Sequence, residues 1–259
     1  MTISEALSQA EAQLRSISDA PHLDAERLLL HVLQQTESSY LYTHPEQALT
    51  TTQERSWHAA ITVRTKAMPL AYIIGTSEFY GRTFFVTPDV LIPRPDTEAL
   101  VDAALTVLHT LPPPTTVADI GTGSGCIAIT LILEANKVNI PLQVIATDIS
   151  IDALAIAKKN AEYHGISDQI SFRQGNLLTP LADTKIDLIV SNPPYLPAEA
   201  LAKAGCAVET RGLLFEPPTA LDGGTDGLYY VNQIKATGIP ALVETVGGEI
   251  VMYNPVIHD

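Results

Sequence analysis

Cysteine is scarce in this chain. Cys126 and Cys206 are its only two, too few for a disulfide framework or a four-ligand zinc site. Cys126 lies in an apolar run and reads as a small buried residue. No apolar run is long enough to span a bilayer. The opening stretch, Met1 to Leu14, carries Glu5 and Glu11 and has no basic start ahead of an apolar block. That pattern reads against a secretory leader, and a reducing cytoplasm is the expected compartment. Basic residues are also few. Lys and Arg total 15 against 29 Asp and Glu, a formal net charge of −14. A protein that grips duplex DNA through its phosphates needs the opposite sign. The acidity therefore argues against a nucleic-acid partner and suits ordinary solubility. No metal site is expected, and no internal repeat or low-complexity segment is visible.

What is present is a globular composition. The chain has 259 residues, 46% hydrophobic and 17% charged, which predicts one or two domains with a sizeable core. Residues 1–75 read as a small helical domain for substrate recognition. Ile3, Ala6, Leu7, Ala10 and Leu14 recur at the spacing of one helix face. Asp24 to Leu33 continues in that style, with Asp24 as N-cap or first-turn acid. A third helix is expected from Thr51 to about Thr65, capped by Thr50 or Thr51, and Trp57 reads as core. Residues 76–92, aromatic and β-branched around Gly81, read as a hairpin connector. Pro93 and Pro95 forbid regular helix, so Asp96 or Thr97 starts the next one, Glu98 to Leu111.

From Thr115 onward strands and helices alternate. Strands are expected at 116–120, 143–147, 170–172, 186–190 and 248–252, with helices at 126–134 and 151–164. Such alternation predicts a parallel sheet covered by helices on both faces, an α/β fold. His164 reads as the polar end of its helix.

Two loops of that sheet carry chemistry. Asp119-Ile120-Gly121-Thr122-Gly123-Ser124-Gly125 follows the first strand and opens a helix. Glycines let backbone approach a ligand closely, and open parallel sheets bind ligands at the carboxyl ends of their strands. The dinucleotide fingerprint needs a sixth-position glycine, which is Cys126 here, and the Gly-Lys-Ser/Thr of a P-loop is absent. The loop suits a nucleoside without a pyrophosphate, or else a plain strand-to-helix connection. Asp148, at the tip of the next strand, is placed to accept from both ribose hydroxyls or to cap the following helix, for which Ser150 is an alternative cap.

The second loop is Asn192-Pro193-Pro194-Tyr195, after the strand ending at Val190. An amide or aromatic amine nitrogen is a poor nucleophile because its lone pair is delocalised. Asn192 offers a side-chain oxygen and Pro193 a carbonyl on a stiffened loop, so both N–H hydrogens can be accepted. That favours a pyramidal nitrogen with its lone pair turned toward an incoming methyl group. Tyr195 can pack its ring on the planar group. A proline-rich turn after a strand is the structural alternative.

With these residues in view, the chain resembles the release factor glutamine methyltransferase family. The resemblance runs over nearly its whole length: Asp24 to Leu30, Ile92 to Glu98 (IPRPDTE), Asp119 to Gly125, Asp148, Asn192 to Tyr195, and Arg211 to Gly227. It implies a class I S-adenosylmethionine-dependent methyltransferase domain, Rossmann-like, at 93–259. Gly121, Thr122, Gly123, Ser124 and Gly125 would seat the methionine part of S-adenosyl-L-methionine and Asp148 its ribose, with Asn192 also at the cofactor. Asn192, Pro193, Pro194 and Tyr195 would seat the glutamine of a peptide chain release factor, with Asn192, Pro193 and Tyr195 as the catalytic set. Asn176 and Leu177 stand where the family usually has an acid and an aromatic beside the adenine, which implies weaker cofactor binding. The family continues past the 248–252 strand with a helix and two closing strands. Here the sequence runs Met252 to Asp259, so the sheet is expected to lack its last strands, an aggregation liability at the edge. Three rival readings share the site: glutamine methylation of a ribosomal protein, adenine-N6 methylation of a nucleic acid with base flipping, and an inactive cofactor-binding scaffold.

Overall fold

A computed structural model of the chain describes residues 1–254. The segment Pro255–Asp259, on which the expectation of missing closing strands partly rests, lies outside the described residues. The chain divides into two compact units, Met1–Gly75 with Ala204–Phe215, and Thr76–Lys203 with Glu216–Asp259.

The first unit is helical. Helices α1 (Ile3–Leu14), α2 (Pro21–Leu33), α3 (Ser39–Thr43), α4 (Thr51–Arg64) and α5 (Leu70–Ile74) make up its N-terminal part. Capping boxes start two of them. Thr2 and Glu5 exchange side-chain-to-backbone bonds at α1, and Thr50 and Gln53 do so at α4. Thr50 is therefore the cap of α4, and Thr51 is its first helical residue. The α2 helix starts at Pro21, three residues before the expected boundary, because proline is pre-organised for a first turn. Asp24 is a first-turn acid there and pairs with Arg64 Nε at 2.8 Å. The five residues predicted for one face of α1 are buried, and they pack with Leu28, Leu29, Trp57 and Ile61 into one core.

In the second unit, β1 (Thr76–Phe79) and β2 (Arg82–Phe85) form an antiparallel hairpin. Its two-residue turn, Tyr80-Gly81, has both φ angles positive, the requirement of a type I′ turn. Phe79 and Phe84 are buried in the main core of this unit. There follow α6 (Glu98–Leu108), β3 (Thr115–Ile120), α7 (Cys126–Lys137), β4 (Leu142–Asp148), α8 (Ile151–Tyr163), β5 (Ile170–Gln174), β6 (Leu188–Ser191), α9 (Ala198–Ala202), α10 (Tyr229–Lys235), β7 (Ala241–Glu244) and β8 (Ile250–Tyr253). The sheet order is β5-β4-β3-β6-β7-β8. Five strands are parallel, and β8 runs antiparallel to β7 at the edge. The expected parallel sheet is thus correct up to β7. Nothing in the residue pattern of β8 encodes its reversed direction, which follows from the tight Thr245–Glu249 turn closing onto β7. Strand order reverses between β3 and β6, the topological switch point where such sheets bind ligands.

Candidate active site

A cleft of about 770 Å³, open to solvent, lies at the carboxyl ends of β3, β4 and β6. Its size is that of a small-molecule site. Gly121, Gly123, Asp148, Asn176, Leu177, Asn192, Pro193 and Pro194 all line it.

The glycine loop alternates. Gly121 and Gly123 have φ of +74° and +54°, and a Cβ on either would meet nothing within 4 Å. They are the bare backbone of the cleft wall. Thr122 and Ser124 between them are buried. Thr122 Oγ1 donates to Asp119 Oδ2 at 2.6 Å, and the Ser124 carbonyl accepts from Asn160 Nδ2 at 2.8 Å. Gly125 begins α7 with φ +81°, and its missing Cβ would lie 3.0 Å from Ile129 and 3.1 Å from Ala157. Those three residues stand behind the cleft wall and hold its shape.

Asp148 ties the loop to the next strand. Oδ2 accepts from Gly123 N and Oδ1 from Ser150 N, each at 2.9 Å. Ser150, not Asp148, caps α8, its hydroxyl accepting from Ala153 N. The carboxylate therefore keeps free lone pairs for a ligand. Burial raises the Asp148 pKa despite those donors. Leu177 lines the cleft in a left-handed conformation, φ +50°, which is uncommon for a side-chain-bearing residue.

The acceptor loop is held by a network reaching over the whole unit. Asn192 Nδ2 donates to Thr97 Oγ1 at 2.9 Å. Thr97 precedes α6 but makes no side-chain cap, because its hydroxyl is engaged here. Burial raises the Glu244 pKa, and the Thr97 hydrogen bond opposes that rise. Arg94 pairs with the buried Glu216 at 2.6 Å, and Glu98 accepts from Tyr80 N at 2.7 Å. The polar residues of Ile92–Glu98 thus each hold a different segment of this unit. Downstream, Leu196 and Asp222 form a parallel bridge, and a side chain at Gly227 would collide with the Tyr195 carbonyl. Tyr195 itself is half-buried, with its pKa raised by burial first and by Glu244 next. It does not line the cleft.

Asp89, Val90, Leu91, Ile149, Thr219 and Tyr230 line the cleft without any signal in the sequence reading. Ile149 follows Asp148 directly and could be found from that neighbour. The others come from loops whose approach depends on the fold. His164 ends α8, with Nε2 at 3.0 Å from the Thr83 carbonyl and its ring on Phe84, the place expected of it.

S-adenosylmethionine fits these residues. Two bare glycines face the cleft, Asp148 is open to hydroxyl donors, and the lining holds two carboxylates, Asp89 and Asp148, but no Lys or Arg. That donor set suits a cationic nucleoside and not a pyrophosphate. Sheet, cleft and donors define a class I methyltransferase that uses S-adenosylmethionine. A family model described as "Methyltransferase small domain" matches residues 97–209, and one described as "PrmC N-terminal domain" matches residues 5–75. Among curated relatives, a release factor glutamine methyltransferase of Koribacter versatilis is 39% identical over 238 residues, covering 90% of this chain and 80% of the relative. That of Moorella thermoacetica is 41% identical, covering 88% and 77%. That of Geobacter sulfurreducens is 41% identical over 204 residues, covering 79% of this chain and 66% of the relative. The chain belongs to the release factor glutamine methyltransferase family. Among solved structures, the hMettl16 catalytic domain in complex with MAT2A 3′UTR hairpin 6 aligns with a TM-score of 0.50 at 21% identity, over 73% of this chain and 69% of that one. That likeness supports the fold alone. Among the described residues no helix is long and apolar enough to cross a membrane.

Proposed function

We propose that the chain transfers a methyl group from S-adenosylmethionine to the side-chain amide nitrogen of a glutamine in a peptide chain release factor. The observation that carries this reading is Asn192 on the cleft with its Nδ2 already committed to Thr97. Its Oδ1 is left as the acceptor for an incoming amide N–H. The cofactor supplies an electrophilic methyl group when bound. Gly121 and Gly123 seat its methionine part, with Thr122, Ser124 and Gly125 holding the loop's shape. Asp148 accepts from the ribose, and Asn176 and Leu177 flank the adenine.

Asn192 Oδ1 and the Pro193 carbonyl accept the two amide hydrogens and hold the nitrogen as it becomes pyramidal. Fixed dipoles of this kind need no reorganisation during reaction, which is why they lower barriers. Pro193 is buried and flanked by Pro194, so its carbonyl is stiffly held. Tyr195 backs the loop. Residues 1–75 recognise the release factor, and residues 76–92 connect them to the methyltransferase domain at 93–259. Release factors act on ribosomes, which places the reaction in the cytoplasm.

The test is transfer of labelled methyl to a purified release factor, with a Gln→Ala acceptor mutant, a ribosomal protein and duplex DNA as parallel substrates. Label on the wild-type factor alone is expected. Label on DNA, or equal label on the Gln→Ala mutant, sinks the reading.

A further inference from the structure

A primary amide has two ends of nearly equal size, one accepting and one donating. Asn192 is useful to an amide substrate only with Oδ1 toward it, so something must fix which end faces the cleft. Thr97 receives Nδ2 at 2.9 Å. Thr97 is 2% exposed and ends the short turn Pro95–Thr97. Its hydroxyl also hydrogen-bonds the carboxyl of Glu244, at the carboxyl end of β7. A hydroxyl has one hydrogen to give. Against a carboxylate, which only accepts, Thr97 must donate to Glu244. Its lone pair is then the group that meets Asn192, and Asn192 must offer Nδ2. Each link fixes the direction of the next.

Stability alone does not account for Glu244. It is 1% exposed, and its Oε2 has no partner among the described residues. A buried carboxyl with a bare oxygen is costly, and an apolar side chain of similar volume would avoid the cost.

We propose that Glu244 and Thr97 are positioning residues, a two-link relay that sets the orientation of the Asn192 amide for methyl transfer. The inference rests on the reading that Asn192 seats the acceptor amide. Neither residue touches the reacting atoms. Both act through Asn192.

The full chain carrying Thr97→Val, Thr97→Ser or Glu244→Gln is compared with wild type in single-turnover methyl transfer to a purified release factor. Cofactor affinity and melting temperature are measured separately. The side-chain NH₂ signals of Asn192, assigned by their loss in Asn192→Asp, report the amide orientation without any activity. Thr97→Val slows transfer about 10-fold to 100-fold, the range for removing an outer-shell partner, and shifts the Asn192 signals, while cofactor affinity holds. Thr97→Ser keeps the hydroxyl and restores both rate and signals. Glu244→Gln no longer forces one direction, because an amide both donates and accepts. It slows transfer by about 3-fold to 10-fold while the melting temperature holds or rises. The relay is overturned if Thr97→Val reacts at the wild-type rate, if Thr97→Ser is as slow as Thr97→Val, or if the Asn192 signals do not move. If wild type labels no release factor, the functional reading fails, and the Asn192 signals decide the relay by themselves.

Discussion

Asp148 and Asn176 divide the cofactor wall between a charged and a neutral hydrogen-bonding group. Asp148 is braced by Gly123 N and Ser150 N, so its carboxylate is pre-aimed. Asn176 is exposed at the rim and brings no charge. Hydrogen bonds to an ionised acceptor are roughly twice as strong as neutral ones. Asn176→Asp should therefore tighten S-adenosylmethionine binding by about fivefold, close to 1 kcal/mol, and calorimetric titration will show it. An unchanged or weaker affinity would remove Asn176 from the adenine side. At this scale the sequence is partly legible. The glycines of 121–125 announce a ligand loop, yet only the fold separates Gly121 and Gly123, which face the cleft, from Thr122, Ser124 and Gly125, which stand behind it. Alternation of facing and buried residues has no compositional mark in a loop. Thr97 and Glu244 are harder still. Thr97 meets Asn192 across 95 residues of sequence, and a lone threonine after a proline turn reads as a helix cap.

Between elements, Asn160 joins three pieces of the second unit. This α8 residue is fully buried. Its Nδ2 donates to the Phe85 and Ser124 carbonyls at 3.0 and 2.8 Å, and its Oδ1 accepts from Phe85 N at 2.7 Å. Hairpin, glycine loop and helix are pinned at one point. Asn160→Ala leaves those backbone groups buried without their partner, and it should cost about 3 kcal/mol in denaturant unfolding. A loss below about 1 kcal/mol would mean water replaces the side chain fully.

Asp119, at the end of β3, adds a pH dependence. Burial pushes its carboxyl up to about 7, against the donors Thr122 and Ala128. The ordinary aspartate value is near 4. The neutral form is thus favoured by folding. The stability from this group is whole below about pH 4 and is lost as pH rises through about 7. Asp119→Asn cannot ionise, so the melting temperature of the variant minus wild type should climb between about pH 5 and pH 8. A flat difference would show that Asp119 ionises freely in the fold. The sheet these residues hang on was mostly readable, because β3, β4 and β6 are apolar runs between helical periodicities. β7 is not, since Ala241–Glu244 has four residues directly after Pro240 and too little length for a pattern.

Over the whole molecule, two separate cores carry different duties. Trp57, the sole tryptophan, is buried in the core of the first unit. Every residue lining the cofactor cleft belongs to the second. A ligand stabilises what it binds when folded, by about 2.7 kcal/mol at a concentration of 100 times Kd. S-adenosylmethionine should therefore raise the melting midpoint of the second unit by about 5–10 °C, seen by far-ultraviolet circular dichroism. The midpoint reported by Trp57 fluorescence should stay where it is in the free protein. A Trp57 midpoint that rises in step with the circular dichroism would mean that the two cores melt as one cooperative body. In that case cofactor affinity in the sheet would be thermodynamically linked to any protein ligand of the helices. Separate midpoints would leave release-factor recognition by residues 1–75 and methyl transfer at Asn192 as independently tunable steps.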